Sequence, residues 1–268
     1  MAEALIARLP QTIIATDINP QRIKYLKKKY GIKTVKNNLE AFNLAEIVIL
    51  AVKPQNIAEV AAELAPQNKK AKQDLDEPGR VALPLQNKLI ISIAAGISIG
   101  YLQNKLPGIP VIRAMPNNPA LIGAGITALA RDKRVKNNLF KKAQAIFKTV
   151  GEVVEVPEAW MNAVTALSGS GPAFIYQTLL AMIEGGIKAG LPKKVSAKLA
   201  LQTMLGAVKT VKETGRSPEE LIAMVASPGG TTVEGLKVLD KLKFKRVLAE
   251  AVVAAARKAK NLSKKWAQ

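Results

Sequence analysis

The sequence predicts a doubly wound α/β sheet followed by an all-helical domain. Apolar β-branched runs alternate with helix-like segments over the first half of the chain, which is typical of a sheet with helices on both faces. After about Pro157 the pattern changes to long helical segments. The chain has 268 residues, 49% of them hydrophobic, and is long enough for two domains with separate cores. We therefore expect a first domain of residues 1–157 and a second of residues 158–268.

Six segments of the first domain are predicted strands. Three are continuous apolar runs typical of buried parallel strands, and three are further candidates, two of them shorter. In chain order they are residues 12–16, 46–52, 89–93, 111–113, 127–130 and 152–156. Residues 20–29 and 54–64 are predicted helices, because their apolar residues recur three and four positions apart. Residues 68–87, rich in Lys, Asp and Pro, are expected to form an exposed excursion.

Five helices are predicted in the second domain, each bounded by recognisable stop signals. They cover residues 172–189, 193–213, 218–225, 232–240 and 244–262. The first is apolar nearly all round, but Gln177, Glu184 and Lys188 interrupt it, so we do not expect a membrane span. A helix that is apolar on all sides is buried on all sides, and in so small a domain this indicates burial against a second subunit.

The composition excludes several classes of chemistry. The chain contains no cysteine and no histidine, which removes disulfides, thiolate nucleophiles, imidazole acid–base catalysis and most transition-metal sites. We expect no metal site. If the chain is an enzyme, its chemical step must be carried out by a cofactor or by carboxylates, hydroxyls and backbone groups. The formal charge of +20 is compatible with a nucleic-acid or membrane partner, but helical lysine spacing and few aromatic residues favour a solvated basic face. No signal-peptide pattern begins the chain, so we expect a cytoplasmic location.

Three predicted strands end in segments that could line a crevice, because open α/β sheets bind ligands at the carboxyl ends of their strands. The segment AVKP (51–54) places Lys53 there, and IAAG (93–96) offers small residues beside which a flat ligand could approach the backbone. The segment RAMPNNP (113–119) is a loop held by two prolines. Each also has an ordinary structural interpretation: a solvated lysine, close strand–helix packing and a stiff turn.

Two glycine-rich segments precede helices in the second half of the chain. They are LSGSGP (167–172) and SPGGTT (227–232). Each places N–H groups that have no helical partner at a helix N-terminus, beside small hydroxyl side chains, which suits a carboxylate or a phosphate. Helix capping alone is the alternative, and the residues leave the two interpretations equally open.

Six motifs in one order resemble the pyrroline-5-carboxylate reductase family. They are AVKP (51–54), SIAAG (92–96), RAMPNNPA (113–120), GEVVEV (151–156), NAVTALSGSGPA (162–173) and SPGGTT (227–232). The pair SGSGPA and SPGGTT is highly specific, and the resemblance covers essentially the whole chain. It implies a Rossmann-type domain followed by a helical domain that interlocks with its twofold mate as a homodimer, often within a larger ring of dimers.

The resemblance also implies an activity and a set of site residues. The activity is reduction of 1-pyrroline-5-carboxylate to L-proline by NADPH or NADH, the last step of proline biosynthesis. Matching positions that line the cofactor in the family are Asn38, Ala51, Val52, Lys53, Pro54, Ile93, Ala94 and Ala95. We expect substrate contacts from Glu158 and from the SPGGTT segment, at Ser227, Gly229, Gly230, Thr231 and Thr232.

The chemistry of these residue types agrees with that activity. Hydride delivery to a C=N bond needs no nucleophile and no metal, which suits a chain without cysteine or histidine. The N–H groups of Gly229, Gly230 and Thr231 at a helix start would anchor the substrate carboxylate. The Thr232 hydroxyl is the candidate catalytic group beside the ring nitrogen. Whether it donates the proton or orients an already protonated imine is open at this point.

The start of the chain departs from the family pattern. Family members begin with a strand and a glycine-rich turn, whereas residues 1–9 resemble the helix after that turn. We therefore expect the first strand to be missing, its neighbouring sheet edges to be unpaired, and the dinucleotide half of the site to be incomplete. One alternative is then a catalytically impaired oligomeric homologue. Another imine or hydroxyacid reductase is a second alternative, which the SPGGTT segment disfavours.

The sequence does not decide between NADH and NADPH as the cofactor. Asp17 follows the first predicted strand, where an acid binds the 2′-hydroxyl of NAD. Arg22 and Lys24 lie close enough in sequence to help bind the 2′-phosphate of NADP. We therefore expect Asp17 to bind the cofactor and leave NADH and NADPH as alternatives.

Overall fold

The computed structural model describes residues 1–9, 12–65 and 88–266. Residues 68–87, predicted as an exposed excursion, lie outside the described residues. The chain forms two compact units: Met1–Ser170 with Ala255–Gln268, and Gly171–Ala254. The first compact unit therefore extends to Ser170, and the domain boundary at residue 157 stays a prediction.

The first unit contains two β-sheets. Strands β1 (Ile14–Ala15) and β2 (Lys33–Thr34) pair in parallel. The larger sheet has the order β3-β4-β5-β6-β7, and its strands are Ile47–Leu50, Leu89–Ser92, Val111–Met115, Gly125–Arg131 and Gly151–Glu155. Its neighbours are parallel except β5 and β6. Helices α1 to α7 of this unit are Ala2–Ile6, Pro20–Tyr30, Asn38–Leu44, Ile57–Leu64, Ile99–Lys105, Asn137–Lys148 and Met161–Val164.

The larger sheet separates two apolar cores, because successive strand residues point to opposite faces. Ile90 and Val111 belong to one cluster, which also contains Ile57 of α4. Leu89 and Ile112 belong to the other, with α6 residues such as Phe140. Helices thus cover both faces, and the predicted doubly wound sheet is confirmed.

Strands β1 and β3 are less buried than their apolar sequences predict. All four residues of β4 are buried, whereas β1 and three of the four β3 residues are half-buried. Among the strands of the described residues, β1 pairs only with β2, and β3 pairs only with β4. Each therefore has an unpaired edge, as expected from the sequence.

Five elements of the first unit were not predicted: β2, α3, α5, α6 and α7. Two of these helices begin at side-chain caps that are visible in the sequence. Asn37 Oδ1 accepts the Glu40 N–H at 2.8 Å at the start of α3, and Ser98 Oγ accepts the Tyr101 N–H at 3.0 Å at the start of α5. Capping residues were therefore usable signals for short helices whose apolar pattern is brief.

The second unit is helical, as predicted. Its helices α8 to α11 are Gly171–Lys188, Lys193–Thr214, Pro218–Val225 and Thr231–Lys241. Helix α12, Phe244–Trp266, begins in this unit, and its residues from Ala255 onward belong to the first. At α10 the Ser217 and Glu220 side chains each accept the other residue's backbone N–H, which forms a capping box.

The second unit exposes much of its apolar surface. No residue of α8 is buried, although its sequence is apolar nearly all round. Leu180 on α8 and Leu199 on α9 are 52% and 53% exposed. Among the described residues, no helix is long and apolar enough to cross a membrane. The expected burial of α8 against a second subunit stays a prediction.

Candidate active site

The loops that follow β3 and β4 lie side by side at the carboxyl edge of the larger sheet. Leu50 of β3 is opposite Ser92 of β4, and the Ile93 N–H donates to the Leu50 carbonyl oxygen at 3.2 Å. The predicted cofactor segments 51–54 and 93–95 are therefore brought together. This is the position at which parallel α/β sheets bind ligands.

The two loop segments differ in exposure. Ala51 and Lys53 are exposed, while Val52 packs partly buried against one core. In the second segment Ala94 is 5% exposed, and its N–H donates to Ser92 Oγ at 3.3 Å. The first segment therefore has exposed residues and the positive charge of Lys53, which suit a dinucleotide. The second segment places small side chains at the carboxyl edge of the larger sheet. Both features fit a flat, anionic cofactor.

Asp17 lies in the exposed turn between β1 and α2. Its Oδ1 accepts the N–H of Asn19 at 2.9 Å, and Asn19 Oδ1 in turn accepts the backbone N–H of Arg22 at 3.2 Å. The Arg22 side chain instead pairs with Glu3, at 2.6 Å from Nη2 to Oε2. The Asp17 carboxylate thus has no ion-pair partner in the part of the chain that the structure describes, and it can accept a hydrogen bond from a ribose hydroxyl.

Glu3 joins α1 to α2 through a cluster that the sequence analysis missed. Its carboxylate accepts hydrogen bonds from Arg22, Tyr25, Lys29 and Tyr30, at 2.6, 2.9, 3.2 and 2.9 Å. The hydrogen bond from Tyr30, followed by that from Arg22, lowers the pKa of Glu3 to about 2. The partners lie 19 to 27 positions from Glu3, so no local pattern indicated the cluster.

Asn38 is the first residue of α3. Its Nδ2 donates to Glu63 Oε2 of α4 at 2.7 Å. This hydrogen bond connects two helices of the first unit. The side chain, predicted to line the cofactor, therefore has a structural partner as well.

Glu158, predicted to contact substrate, has structural partners within the first unit. Its Oε1 accepts the Ile99 N–H at 2.7 Å at the start of α5. The same oxygen lies 3.6 Å from Nη1 of Arg113, whose side chain is 6% exposed on β5. Burial lowers the pKa of Arg113, and the negative charge of Glu158 opposes that shift. The geometry indicates that Glu158 compensates a buried cation and caps a helix; its contact with substrate stays a prediction.

The segment LSGSG (167–171) adopts a conformation that its glycines did not predict. After α7 the chain forms a π-helical turn over Thr165–Gly169, and the Ser170 N–H donates to the Thr165 carbonyl at 2.9 Å. A Cβ at Gly169 would lie 2.7 Å from Cε of Met115, the last residue of β5. A side chain at this position would therefore require the flexible end of Met115 to move. Single π turns inside helices are frequent at functional sites.

The SPGGTT segment forms the N-terminus of α11 in the second unit. The Gly230 N–H donates to the Ser227 carbonyl at 3.0 Å, so this group closes the turn. The Gly230 N–H thus already has an internal partner, and its contact with the substrate carboxylate stays a prediction. Within the described residues, neither the N–H groups of Thr231 and Thr232 nor the Thr232 hydroxyl has a hydrogen-bond partner. Together with the Gly229 N–H, they form the open donor set of this turn.

Lys88 is a second feature that the sequence analysis missed. The residue is 1% exposed, and its Nζ donates to the carbonyl oxygens of Phe42, Asn43 and Ala45 at 2.7, 3.3 and 3.0 Å. It thereby satisfies the carboxyl end of α3 from the first residue before β4. Burial lowers the pKa of this lysine. The sequence offered one indication of this role, namely that Lys88 is a single charged residue directly before an apolar strand.

The first unit brings together the predicted cofactor residues of two strand ends, and the second unit carries the predicted substrate turn. Over residues 1–9, 12–65 and 88–266, no group of three or more acidic residues is placed to hold a metal ion. A largely parallel sheet with open loops at its carboxyl edge and a helical unit after it define the class of Rossmann-type, dinucleotide-dependent oxidoreductases.

Comparison with known proteins identifies the family. Residues 158–262 match the family model "Pyrroline-5-carboxylate reductase dimerisation", and residues 1–74 match "NADP oxidoreductase coenzyme F420-dependent". The chain is 44% identical to the pyrroline-5-carboxylate reductase of Synechocystis sp. over 99% of its own length and 96% of that protein. It is 38% identical to that of Methanosarcina acetivorans, over 96% and 89%. The chain belongs to the pyrroline-5-carboxylate reductase family.

Solved structures agree with this assignment. A pyrroline-5-carboxylate reductase from Coxiella burnetii matches with a TM-score of 0.84 at 33% identity, covering 98% of this chain and 94% of the other. A pyrroline carboxylate reductase from Plasmodium falciparum with NADP bound matches with a TM-score of 0.79 at 29% identity, covering 97% and 94%. The fold predicted from the sequence, a Rossmann-like domain followed by a helical dimerisation domain, is confirmed.

Proposed function

We propose that the chain reduces 1-pyrroline-5-carboxylate to L-proline with NADPH or NADH, in proline biosynthesis. The main structural support is that the AVKP and SIAAG loops lie side by side. The strand ends next to them are joined by the hydrogen bond from the Ile93 N–H to the Leu50 carbonyl oxygen. Family membership supports the same reaction. The chain contributes no nucleophile and needs none, because hydride addition to a C=N bond is a direct transfer.

The first unit holds the dinucleotide in this proposal. Ala51, Lys53 and the loop 93–95 line the carboxyl edge of the sheet, and Asn38 and Asp17 lie on neighbouring elements. The small side chains permit close approach of a flat ring, and Lys53 offers a positive charge to phosphate. When bound, the reduced nicotinamide supplies the hydride that goes to the imine carbon.

The second unit binds the substrate in this proposal. The open N–H groups of Gly229, Thr231 and Thr232 at the start of α11 suit the substrate carboxylate, because a helix N-terminus favours a negative charge. The Thr232 hydroxyl is then the hydrogen-bond partner of the ring nitrogen, which gains a proton as the carbon gains the hydride. Glu158 is kept as a proposed substrate contact, although its carboxylate already has two partners.

Cofactor choice depends on Asp17 and Arg22 in this proposal. The Asp17 carboxylate, which has no ion-pair partner among the described residues, can bind the 2′-hydroxyl of NADH, whereas the Arg22 side chain, 41% exposed, is held by Glu3. Asp17→Asn removes a negative charge that would repel a 2′-phosphate. It is expected to raise kcat/KM for NADPH relative to NADH about tenfold, as measured by steady-state kinetics with both cofactors.

We also propose a homodimer formed through the helical unit, with rings of dimers as the larger assembly and the cytoplasm as the location. The exposed apolar residues of α8 and α9 support the dimer, because soluble chains rarely leave so much apolar helix surface uncovered. No nucleic-acid or membrane partner is proposed. Mass measurement in solution tests the assembly, and cell fractionation tests the location.

The activity is tested with the purified chain, 1-pyrroline-5-carboxylate and each reduced cofactor. Oxidation of the cofactor with formation of an equal amount of L-proline is the expected result. Dinucleotide binding without turnover of this imine, but with turnover of another imine or a 2-oxo acid, would support a different reductase. Absence of both binding and turnover would support a catalytically impaired oligomer.

A further inference from the structure

The last turn of α12 packs on the loop that follows β4. A Cβ at Gly96 would lie 3.2 Å from Cδ1 of Trp266 and 3.5 Å from backbone atoms of Leu262 and Ser263. Gly96 has φ +81°, so its backbone conformation and its close neighbour both favour glycine. Residues from Ala255 onward belong to the first compact unit, and the contact lies wholly within that unit.

The same helical turn is also attached to the segment that precedes the π turn. Ser263 Oγ donates to Asn162 Oδ1 of α7 at 2.9 Å, and α7 continues directly into Thr165–Gly169. Trp266 packs partly buried against the core that contains Ala94 and Ile97. One helix end therefore contacts two segments that carry the motifs SIAAG and SGSG.

We propose that Trp266 is a positioning residue for dinucleotide binding, through the loop 93–96 that it supports. The inference rests on the proposed function in one respect, namely that this loop contacts the dinucleotide. A loop that is already ordered loses less conformational entropy when a ligand binds. Removing the indole therefore weakens dinucleotide binding, although Trp266 itself is not assigned to touch the dinucleotide.

The competing interpretation is that Trp266 serves the core alone. Its loss would then lower the unfolding temperature, while the folded fraction would bind the dinucleotide as before. Affinity measured on folded protein separates the two interpretations. Catalytic rate alone does not, because a partly unfolded sample also loses activity.

The central experiment compares Trp266→Ala with the full-length parent chain. The dissociation constant of NADPH is measured by fluorescence titration at a temperature at which both proteins are folded. We expect it to rise about tenfold in Trp266→Ala, with the KM for 1-pyrroline-5-carboxylate changed less than twofold. Trp266→Phe keeps an aromatic ring in contact with the loop and is expected to restore most of the affinity. Lys264→Ala, on the same turn and exposed, is the matched control and is expected to bind as the parent does.

A second measurement follows the loop without any ligand. Hydrogen exchange of the amides of residues 93–98 is expected to accelerate at least tenfold in Trp266→Ala and to stay unchanged in Lys264→Ala. The chain has two tryptophans, so Trp160→Phe leaves Trp266 as the only one. Its emission is then expected to be quenched by bound NADPH, because energy transfer requires proximity.

The inference is overturned if folded Trp266→Ala binds NADPH within twofold of the parent, or if exchange of residues 93–98 does not change. If Trp266→Ala does not fold, Trp266→Leu, which keeps apolar bulk, takes its place in the same measurements. A parent chain that binds NADPH but does not reduce 1-pyrroline-5-carboxylate would reject the proposed activity. The binding data would still decide the role of Trp266.

Discussion

The carboxylate of Glu158 lies 3.6 Å from the guanidinium of Arg113, and the Arg113 side chain is only 6% exposed. The same carboxylate oxygen also accepts the Ile99 N–H at 2.7 Å. A buried cation that loses its counter-ion is strongly destabilising, because its desolvation is no longer compensated. Glu158 therefore has a structural role whether or not it also touches substrate.

Glu158→Ala is expected to lower the free energy of unfolding by about 2 kcal/mol, since it leaves Arg113 buried and unpaired. Chemical denaturation measures this change. Glu155→Ala is the matched control, because Glu155 pairs at 2.8 Å with Arg131, and both side chains are about a third or more exposed. The control is expected to cost less than about 1 kcal/mol. Equal losses in the two variants would contradict the structural role of Glu158.

Glu3→Gln is expected to alter how stability depends on pH. The four donors hold the pKa of Glu3 at about 2, below its ordinary value of 4.5. The unfolded chain therefore binds the proton more readily, so the stabilisation is fully present above pH 4.5 and is lost as the pH falls towards 2. The parent is expected to unfold at a higher temperature than Glu3→Gln at neutral pH. That difference is expected to shrink on acidification.

Thermal unfolding between neutral and acidic pH measures the Glu3 effect. Glu219→Gln is a control, because Glu219 is exposed in the first turn of α10 and belongs to no described ion pair. It is expected to lower the unfolding temperature less than Glu3→Gln does, because only its interaction with the helix N-terminus is lost. A constant difference between the parent and Glu3→Gln at all pH values would contradict the assigned titration.

Lys88→Met is expected to destabilise the chain by about 2 kcal/mol, because one buried and two partly buried hydrogen bonds to carbonyl oxygens are lost. The contribution of Lys88 to stability also depends on pH. Burial lowers the pKa of Lys88 below 10.5, so the unfolded chain binds more protons than the folded chain at pH values just below 10.5. The contribution of Lys88 to the free energy of unfolding therefore rises with pH in this range. Denaturation at several alkaline pH values is expected to show this rise in the parent and not in Lys88→Met. A slope shared by both proteins would exclude Lys88 as its source.

Features with local causes were predictable from the sequence. The helix predicted at residues 218–225 is observed as Pro218–Val225, because Ser217 and Glu220 complete a capping box within four positions. The strand predicted at residues 12–16 is reduced to Ile14–Ala15, since pairing depends on neighbouring strands and not on β propensity alone. The order of the motifs along the chain was sufficient to identify the family.

Contacts between distant positions were not predictable. The Nζ of Lys88 reaches a carbonyl 46 positions away, and Ile99 reaches Glu158 across 59 positions. The internal partner of the Gly230 N–H was also not predictable, because the sequence shows a glycine-rich helix start but not which of its donors closes the turn. Candidate site residues could thus be named from motifs, whereas their structural partners could be identified only from the fold.

Leu199→Lys is expected to disrupt the proposed homodimer. Leu199 is 53% exposed on α9 of the second unit, and a charge placed in an apolar interface is costly to desolvate. Light scattering after size-exclusion chromatography is expected to show a dimer or larger assembly for the parent and a smaller species for the variant. Leu44→Lys is the control, since Leu44 is similarly exposed, at 42%, but lies on α3. A parent chain that is monomeric, or a variant of unchanged mass, would contradict the proposal.

Thr232→Ala is expected to lower kcat about a hundredfold and to leave the unfolding temperature nearly unchanged. The Thr232 hydroxyl has no hydrogen-bond partner within the described residues, so its removal breaks no internal contact. A hydrogen bond that forms at the ring nitrogen in the transition state contributes directly to the rate, and its loss costs about 2.7 kcal/mol of activation free energy at this fold-change. Thr232→Ser keeps the hydroxyl and is expected to recover most of the rate, while Thr210→Ala, on exposed α9 surface, serves as the control. If Thr232→Ala retained full turnover, the ring nitrogen would have to receive its proton from water or from another group, and the assignment of Thr232 would be wrong.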